Sequence, residues 1–208
     1  MFNTTEKRER ALGVKLFLKP ERCMSEKCVI VRRPTRPGAH GKARRQTLSE
    51  FGQLLQEKQR FKHLYGVREA YLRRIFSIAV RHTGVTGDLF ASLLERRLDN
   101  VVFRLGFAPS RSVARQLVGH GHFLIKGRRV TIPSYQVKAG DVIRIRPESQ
   151  AHPRFKELAA RLKTYDPPAW LRVDVSSLEG HVLSDPKDLD ATFNANMVVD
   201  FYSRSIKK

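Results

Sequence analysis

Residues 95–147 read ERRLDNVVFRLGFAPSRSVARQLVGHGHFLIKGRRVTIPSYQVKAGDVIRIRP, and their periodicity changes midway. Leu98, Val101, Val102 and Leu105 recur at helical spacing and stop at Gly106. Ser110 is a good N-cap for a second helix that turns Val113, Ala114, Leu117 and Val118 inward, with Gly119 and Gly121 ending it. The pattern then shifts toward strands. Phe123-Leu124-Ile125 predicts a strand, Lys126-Gly127-Arg128-Arg129 a tight basic turn, and Val130-Thr131-Ile132 the returning strand. Pro133 to Gly140 is a loop, and Asp141 to Arg146 alternates as a further strand. A helix pair followed by short strands makes a compact α+β module.

Cations are threaded through this stretch. Arg97, Arg111 and Arg115, with His120 at the helix end, are expected on the outer side of the helix pair, beside Lys126, Arg128 and Arg129 of the turn. Arginine makes bidentate bonds to phosphate oxygens, and helix N-termini add backbone donors. Duplex RNA hides its base edges in a deep narrow groove, so proteins read its shape, phosphates and 2′-hydroxyls. The bland alternative is a merely solvated basic face. Charge placement argues against it: residues 1–75 carry net +12, residues 76–94 zero, residues 95–147 net +8 and residues 148–208 zero. The whole excess of +20 therefore lies in two separated segments, which predicts a polyanionic partner.

Composition narrows the classes further. The chain has 208 residues, room for one large or two small domains with a real core. No apolar run approaches the roughly 20 residues that span a bilayer, and the N-terminus lacks a signal core, so a cytoplasmic location is expected. There is no phosphate loop, dinucleotide fingerprint or paired-histidine motif, so no catalytic residue is assigned. Gly119-His120-Gly121-His122 reads as a helix stop, and Asp99 as the partner of a nearby arginine or a helix cap. Cys23 and Cys28 could be half of a zinc site, a disulfide or two plain thiols. A closed zinc site needs four ligands, no second Cys pair exists, and His40 and His63 lack ligand spacing.

Upstream of residue 95 the chain reads as a basic arm, residues 1–46, followed by a helical domain, residues 47–94. The arm has no sustained period, and the prolines and glycines of Arg32-Arg33-Pro34-Thr35-Arg36-Pro37-Gly38-Ala39-His40-Gly41 forbid regular structure there. Thr47 with Glu50 makes a capping box for a helix to Lys62, stopped near Gly66. A second helix over about 67–82 turns Tyr71, Leu72, Ile75, Phe76 and Ala79 to one face and Arg68, Arg73 and Arg74 to the other. A third, capped by Thr86, covers Asp88 to Arg96. Downstream, Phe155, Leu158, Ala159 and Leu162 predict a helix, and Trp170 to Val175 with Gly180 to Leu183 a small hairpin. The segment 185–208 is expected to return and close the helical domain, because a free apolar end is costly in water.

RRLDNVVFRLGFAPSRSVARQLVGHGHFLIKGRRVTIPSY resembles the core of the bacterial-type fourth protein of the small ribosomal subunit, "S-four". The likeness extends to Pro37-Gly38-Ala39-His40-Gly41, to LSEFGQLLQEKQRFKHLYGV, to Gly84-Val85-Thr86-Gly87 and to Phe201-Tyr202-Ser203-Arg204, nearly the whole chain. It implies an α+β protein, a helical domain plus an αL-type RNA-binding module over 95–184 with its core at 97–147. It implies no enzyme but a primary binder of 5′-domain rRNA that nucleates assembly of the subunit body. It also implies contact with the fifth small-subunit protein and, through Lys42, Arg44 and Arg45, with mRNA where it enters the subunit. In the arm and first helices we assign Arg32, Arg33, Arg36, His40, Lys58, Arg60, Lys62, Tyr65, Arg68, Arg73 and Arg74 to rRNA. In the module we assign Arg97, Ser110, Arg111, Arg115, His120, Lys126, Arg128 and Arg129. Zinc-binding members carry a second Cys pair where this chain has Glu6 and Glu9, so no metal or other cofactor is carried over. The Asn-Gly usual in the strand turn is Lys126-Gly127 here.

Overall fold

The computed structural model describes residues 4–43, 47–186 and 194–206. They form a mixed α+β protein of two compact units, one of residues 1–90 with 190–208 and one of residues 91–189.

The first unit is helical. Helices α1 (Thr4–Leu12), α2 (Pro20–Cys23) and α3 (Val29–Arg32) precede the longer α4 (Glu50–Leu64) and α5 (Glu69–Arg81), and α6 (Thr86–Glu95) begins here. Regular structure in the arm was not expected. Its order comes from polar anchors, which leave no apolar period to read: Glu9 Oε1 accepts from the Leu16 and Leu18 amides at 3.0 and 3.3 Å. Arg10 donates to the Thr35 carbonyl at 2.9 Å and so pins the 33–36 turn to α1. The α4 cap also differs from expectation. Ser49 accepts from Gly52 N at 3.2 Å, and the helix starts at Glu50 rather than Thr47. Either hydroxyl can cap, and Ser49 stands at the extended residue directly before the first turn. Helix α12 (Ala195–Ile206) packs on α4 and α5, burying Val198, Phe201 and Tyr202 with Phe61, Leu72 and Phe76.

The second unit opens with α7 (Leu98–Arg104) and α8 (Arg111–Gly119), whose inward residues are those of the sequence pattern. Strands β1 (Phe123–Ile125), β2 (Arg128–Arg129), β3 (Val142–Ile145), β4 (Leu171–Asp174) and β5 (Glu179–Val182) form one antiparallel sheet in the order β2-β1-β3-β5-β4. Two expectations change here. The first reversal takes only Lys126 and Gly127, both at positive φ (50° and 76°), so the return strand is Arg128–Arg129 and not 130–132. The late hairpin is no separate element, because β5 pairs with β3. The approach is close: a Cβ on Gly180 would come within 2.4 Å of Leu105 Cδ1. The predicted helix near 155–162 is broken into α9 (Pro147–Gln150), α10 (Pro153–Lys156) and α11 (Leu158–Leu162), each of the first two starting at a proline, and Ala159 faces outward. Phe107, Phe123, Phe155, Leu158 and Trp170 complete the core under the sheet.

Candidate nucleic-acid interface

Buried charge is settled first in the second unit, because an unpaired buried ion would cost several kcal/mol. Arg97 is almost wholly buried. Its Nε and Nη2 donate to the two oxygens of Asp99 at 3.0 and 2.7 Å. Asp99 also accepts from the Asn100 amide at 3.0 Å and stands 3.8 Å from Arg115. Glu95, 1% exposed, accepts from Arg104 at 2.9 and 3.1 Å and from Asn100 Nδ2 at 2.7 Å. Asn100 Oδ1 in turn accepts from Arg111 Nε at 2.8 Å, and that guanidinium lies 4.6 Å from the Phe103 ring centroid. One continuous network thus fixes the α7–α8 pair and sets the direction of the arginines at its rim.

Arg97 is therefore a correction. It was assigned to the outer surface, but its guanidinium is spent on Asp99 because the two residues meet at the buried start of α7. Ser110 is likewise buried, and its hydroxyl caps α8 by accepting from Val113 N at 3.4 Å. Arg111 is half-buried. Arg115, Arg128, Arg129, Lys126 and His120 are exposed. Lys126 Nζ reaches Asp141 Oδ1 at 2.7 Å, and that hydrogen bond holds the ammonium pKa above its ordinary value. Arg129 donates to the His120 carbonyl at 3.2 Å, so it lies over the C-terminal end of α8. Gly121 stands at φ 76°, in the left-handed region that favours glycine, which explains glycine at that place. Behind it, His122 accepts from or donates to Ser149 Oγ at 2.9 Å, and its ring is 5.3 Å from that of His152. Burial, and then the neighbouring charges, keep the His122 pKa below its usual value.

The sequence reading missed the polar residues that organise this surface, Glu95, Asn100 and Arg104, and the outer sheet face, where Arg144 stands opposite Leu124 and Glu179. The alternation of residues 141–146 carried the signal for Arg144, since every second residue of a half-buried strand faces out. Nothing local marks Glu95, whose partners lie five and nine residues away.

In the first unit Arg32, Arg33, Arg36, His40, Lys42, Arg68, Arg73 and Arg74 are exposed. Arg44 and Arg45 lie outside the described residues. Lys58 and Tyr65 are corrections of the same kind as Arg97. Lys58 is buried with Nζ 3.0 Å from Glu69, and Tyr65 is buried with its ring centroid 6.1 Å from that of Phe61. Arg60 pairs with Glu57 at 2.8 Å and Lys62 with Glu69 at 3.4 Å, both partly exposed. His63 is held neutral at physiological pH: burial, then Arg8 and Lys62, lower its pKa to about 4.

The Glu6, Glu9 and Cys23 side chains are engaged with other partners. Glu6 pairs with Arg22 at 3.0 Å, Glu9 is occupied by two amides, and the Cys23 thiol points at Glu9 Oε1 from 4.0 Å. Burial pushes the Cys23 thiol pKa up, away from thiolate. Among the described residues no group of three or more His, Cys, Asp or Glu is placed to hold an ion.

Residues 3–95 match the family described as "Ribosomal protein S4/S9 N-terminal domain", and residues 96–143 the "S4 domain". The chain is 49% identical, over 94% of both chains, to "Small ribosomal subunit protein uS4" of Syntrophomonas wolfei. It is 50% identical over the same shares to "Small ribosomal subunit protein uS4A" of Symbiobacterium thermophilum. The chain belongs to the uS4 family. Within that family's two matched regions, the exposed cations of α8, the β1–β2 turn and β2 fall in the S4 domain, and those of the arm and α5 in the N-terminal one.

Proposed function

We propose that this uS4 chain is a structural, non-catalytic protein of the small ribosomal subunit that binds structured rRNA through phosphate and shape contacts, together with neighbouring ribosomal proteins. One observation carries the reading. The innermost ions of the module are matched pair by pair, Arg97 with Asp99 and Arg104 with Glu95, whereas Arg115 on α8 and Arg128 and Arg129 on β2 stand exposed at the surface. Matched interior charge is architecture; surplus exterior charge on a rigid frame suits a polyanion. The family's role extends the reading to early docking on the 5′ domain, nucleation of the subunit body, contact with the fifth protein, and an mRNA path past Lys42, Arg44 and Arg45. No cofactor enters it, since hydrogen bonds and one ion pair occupy the N-terminal donor set.

Two measurements test it together. The chain should co-sediment with small ribosomal subunits. Filter binding to a 5′-domain rRNA fragment should weaken with salt, at a log–log slope of about −0.7 to −0.9 per phosphate neutralised. A slope near zero, or a chain that stays at the top of the gradient, contradicts the proposal.

A further inference from the structure

Three imidazoles and a buried serine meet where residues 147–154 lie against the start of β1. His122 shares a hydrogen bond of 2.9 Å with Ser149 Oγ at α9, and Ser149 is buried. The His122 ring centre lies 5.3 Å from that of His152 and 6.0 Å from that of His120. Backbone bonds hold the same groups in register. Arg146 N donates to the His122 carbonyl at 2.9 Å, Ser149 N to the Arg146 carbonyl at 2.8 Å, and His152 N to the Ser149 carbonyl at 2.9 Å. His152 Nδ1 accepts from the Arg154 amide at 3.3 Å and so caps α10. Phe155 is buried edge-on to His122 and Phe123, which anchors the far end of the segment in the core.

The charged groups around this layer are mostly cations. Arg129 of β2, Arg146 after β3, and Arg154 and Lys156 of α10 stand beside His120 at the end of α8. Glu148, the only acid of residues 147–154, is bound by Arg146 Nε. A proton on His152 Nδ1 removes the lone pair that caps α10. A proton on His122 puts a partly buried cation among other cations. Burial, then His152, His120, Arg146 and Arg129, hold the His122 pKa below its ordinary 6.5. The neutral ring's contribution to the closed segment is therefore full above 6.5 and lost as pH falls through the lower folded value.

We infer that His122 and His152 form an acid-released latch. While both rings are neutral, residues 147–154 stay closed on the module through Ser149 and the α10 cap. Protonation opens that segment, while Phe155 and the strands remain in place. The opening is local, at a polar edge rather than in the core. This inference does not depend on rRNA binding.

The test is hydrogen exchange of the full chain, read by mass spectrometry at about pH 7.5 and about pH 5 and corrected for the intrinsic rate. Peptides covering 147–154 should lose about tenfold in protection at the lower pH, and those covering β1 and β3 much less. In His122→Gln/His152→Asn the drop should vanish, because glutamine keeps a donor for Ser149 and asparagine supplies a cap that does not titrate. A wild-type segment with unchanged protection, a drop shared equally by the strands, or a drop that survives in the double variant overturns the latch. If the double variant does not melt cooperatively, His152→Asn alone decides. A smaller drop than wild type supports the latch, and the full wild-type drop overturns it.

Discussion

Arg97 and Arg115 both approach Asp99, one at 2.7 Å with 3% of its side chain exposed and the other at 3.8 Å with 50% exposed. That difference separates a structural arginine from a binding one. Replacing Arg97 by Ala strands a buried carboxylate and should cost about 3–5 kcal/mol in urea denaturation. Arg115→Ala should leave stability within about 0.5 kcal/mol yet weaken rRNA binding and its salt slope. The reverse pattern would mean the two roles are exchanged. Sequence reading offered Asp99 an arginine partner or a helix-cap role. It could not see which one, because Arg97 and Asp99 meet only after α7 starts between them and the 133–137 loop closes over it, Leu98 N donating to the Tyr135 carbonyl at 2.9 Å. Charge counts report cations, and burial decides which remain available.

At the scale of elements, the N-terminal segment was the least legible. Apolar periodicity revealed α4, α5, α7 and α8, whose faces are stripes, whereas the turns after α1 are organised by one carboxylate. That carboxylate has a measurable signature. Burial raises the Glu9 pKa above its ordinary 4.5, despite the amides that favour the ion. A raised carboxyl favours the folded state when protonated: the contribution is full below about 4.5 and lost as pH rises through the higher folded value. Glu9→Gln should therefore fold at least as well as wild type at neutral pH and lose that acid-side gain in urea titrations. His63 acts in the opposite sense, since its contribution is present above 6.5 and lost as pH falls toward about 4. A Glu9→Gln chain clearly less stable at pH 7 would contradict this account, and chelator should leave the melts of both chains unchanged. The β4–β5 hairpin was visible as two short strands, but its place beside β3 depends on Gly180 admitting Leu105, a non-local fit that no local pattern announces.

For the whole molecule, the second unit carries its own sheet and its own apolar core from Leu98 to Val182. Residues 91–189 expressed alone should unfold cooperatively and bind the rRNA fragment with a shallower salt slope than the full chain. A fragment without a cooperative transition would show that the module depends on the rest. The charge blocks read from sequence were informative at this scale because net charge survives folding even where single cations are buried. The identity of the contacting side chains was not, because Lys58, Tyr65 and Arg97 turn inward.

The first unit, by contrast, joins the two ends of the chain. Asn194 N donates to Glu57 across 137 residues, and Arg204 donates to Glu50 across 154. Translation runs from the N-terminus, so residues 91–189 are complete before α12 has been made. The half of the protein that is synthesised first is thus the half that finishes last, and a nascent chain owns its S4 module before its opening helices gain their final partner.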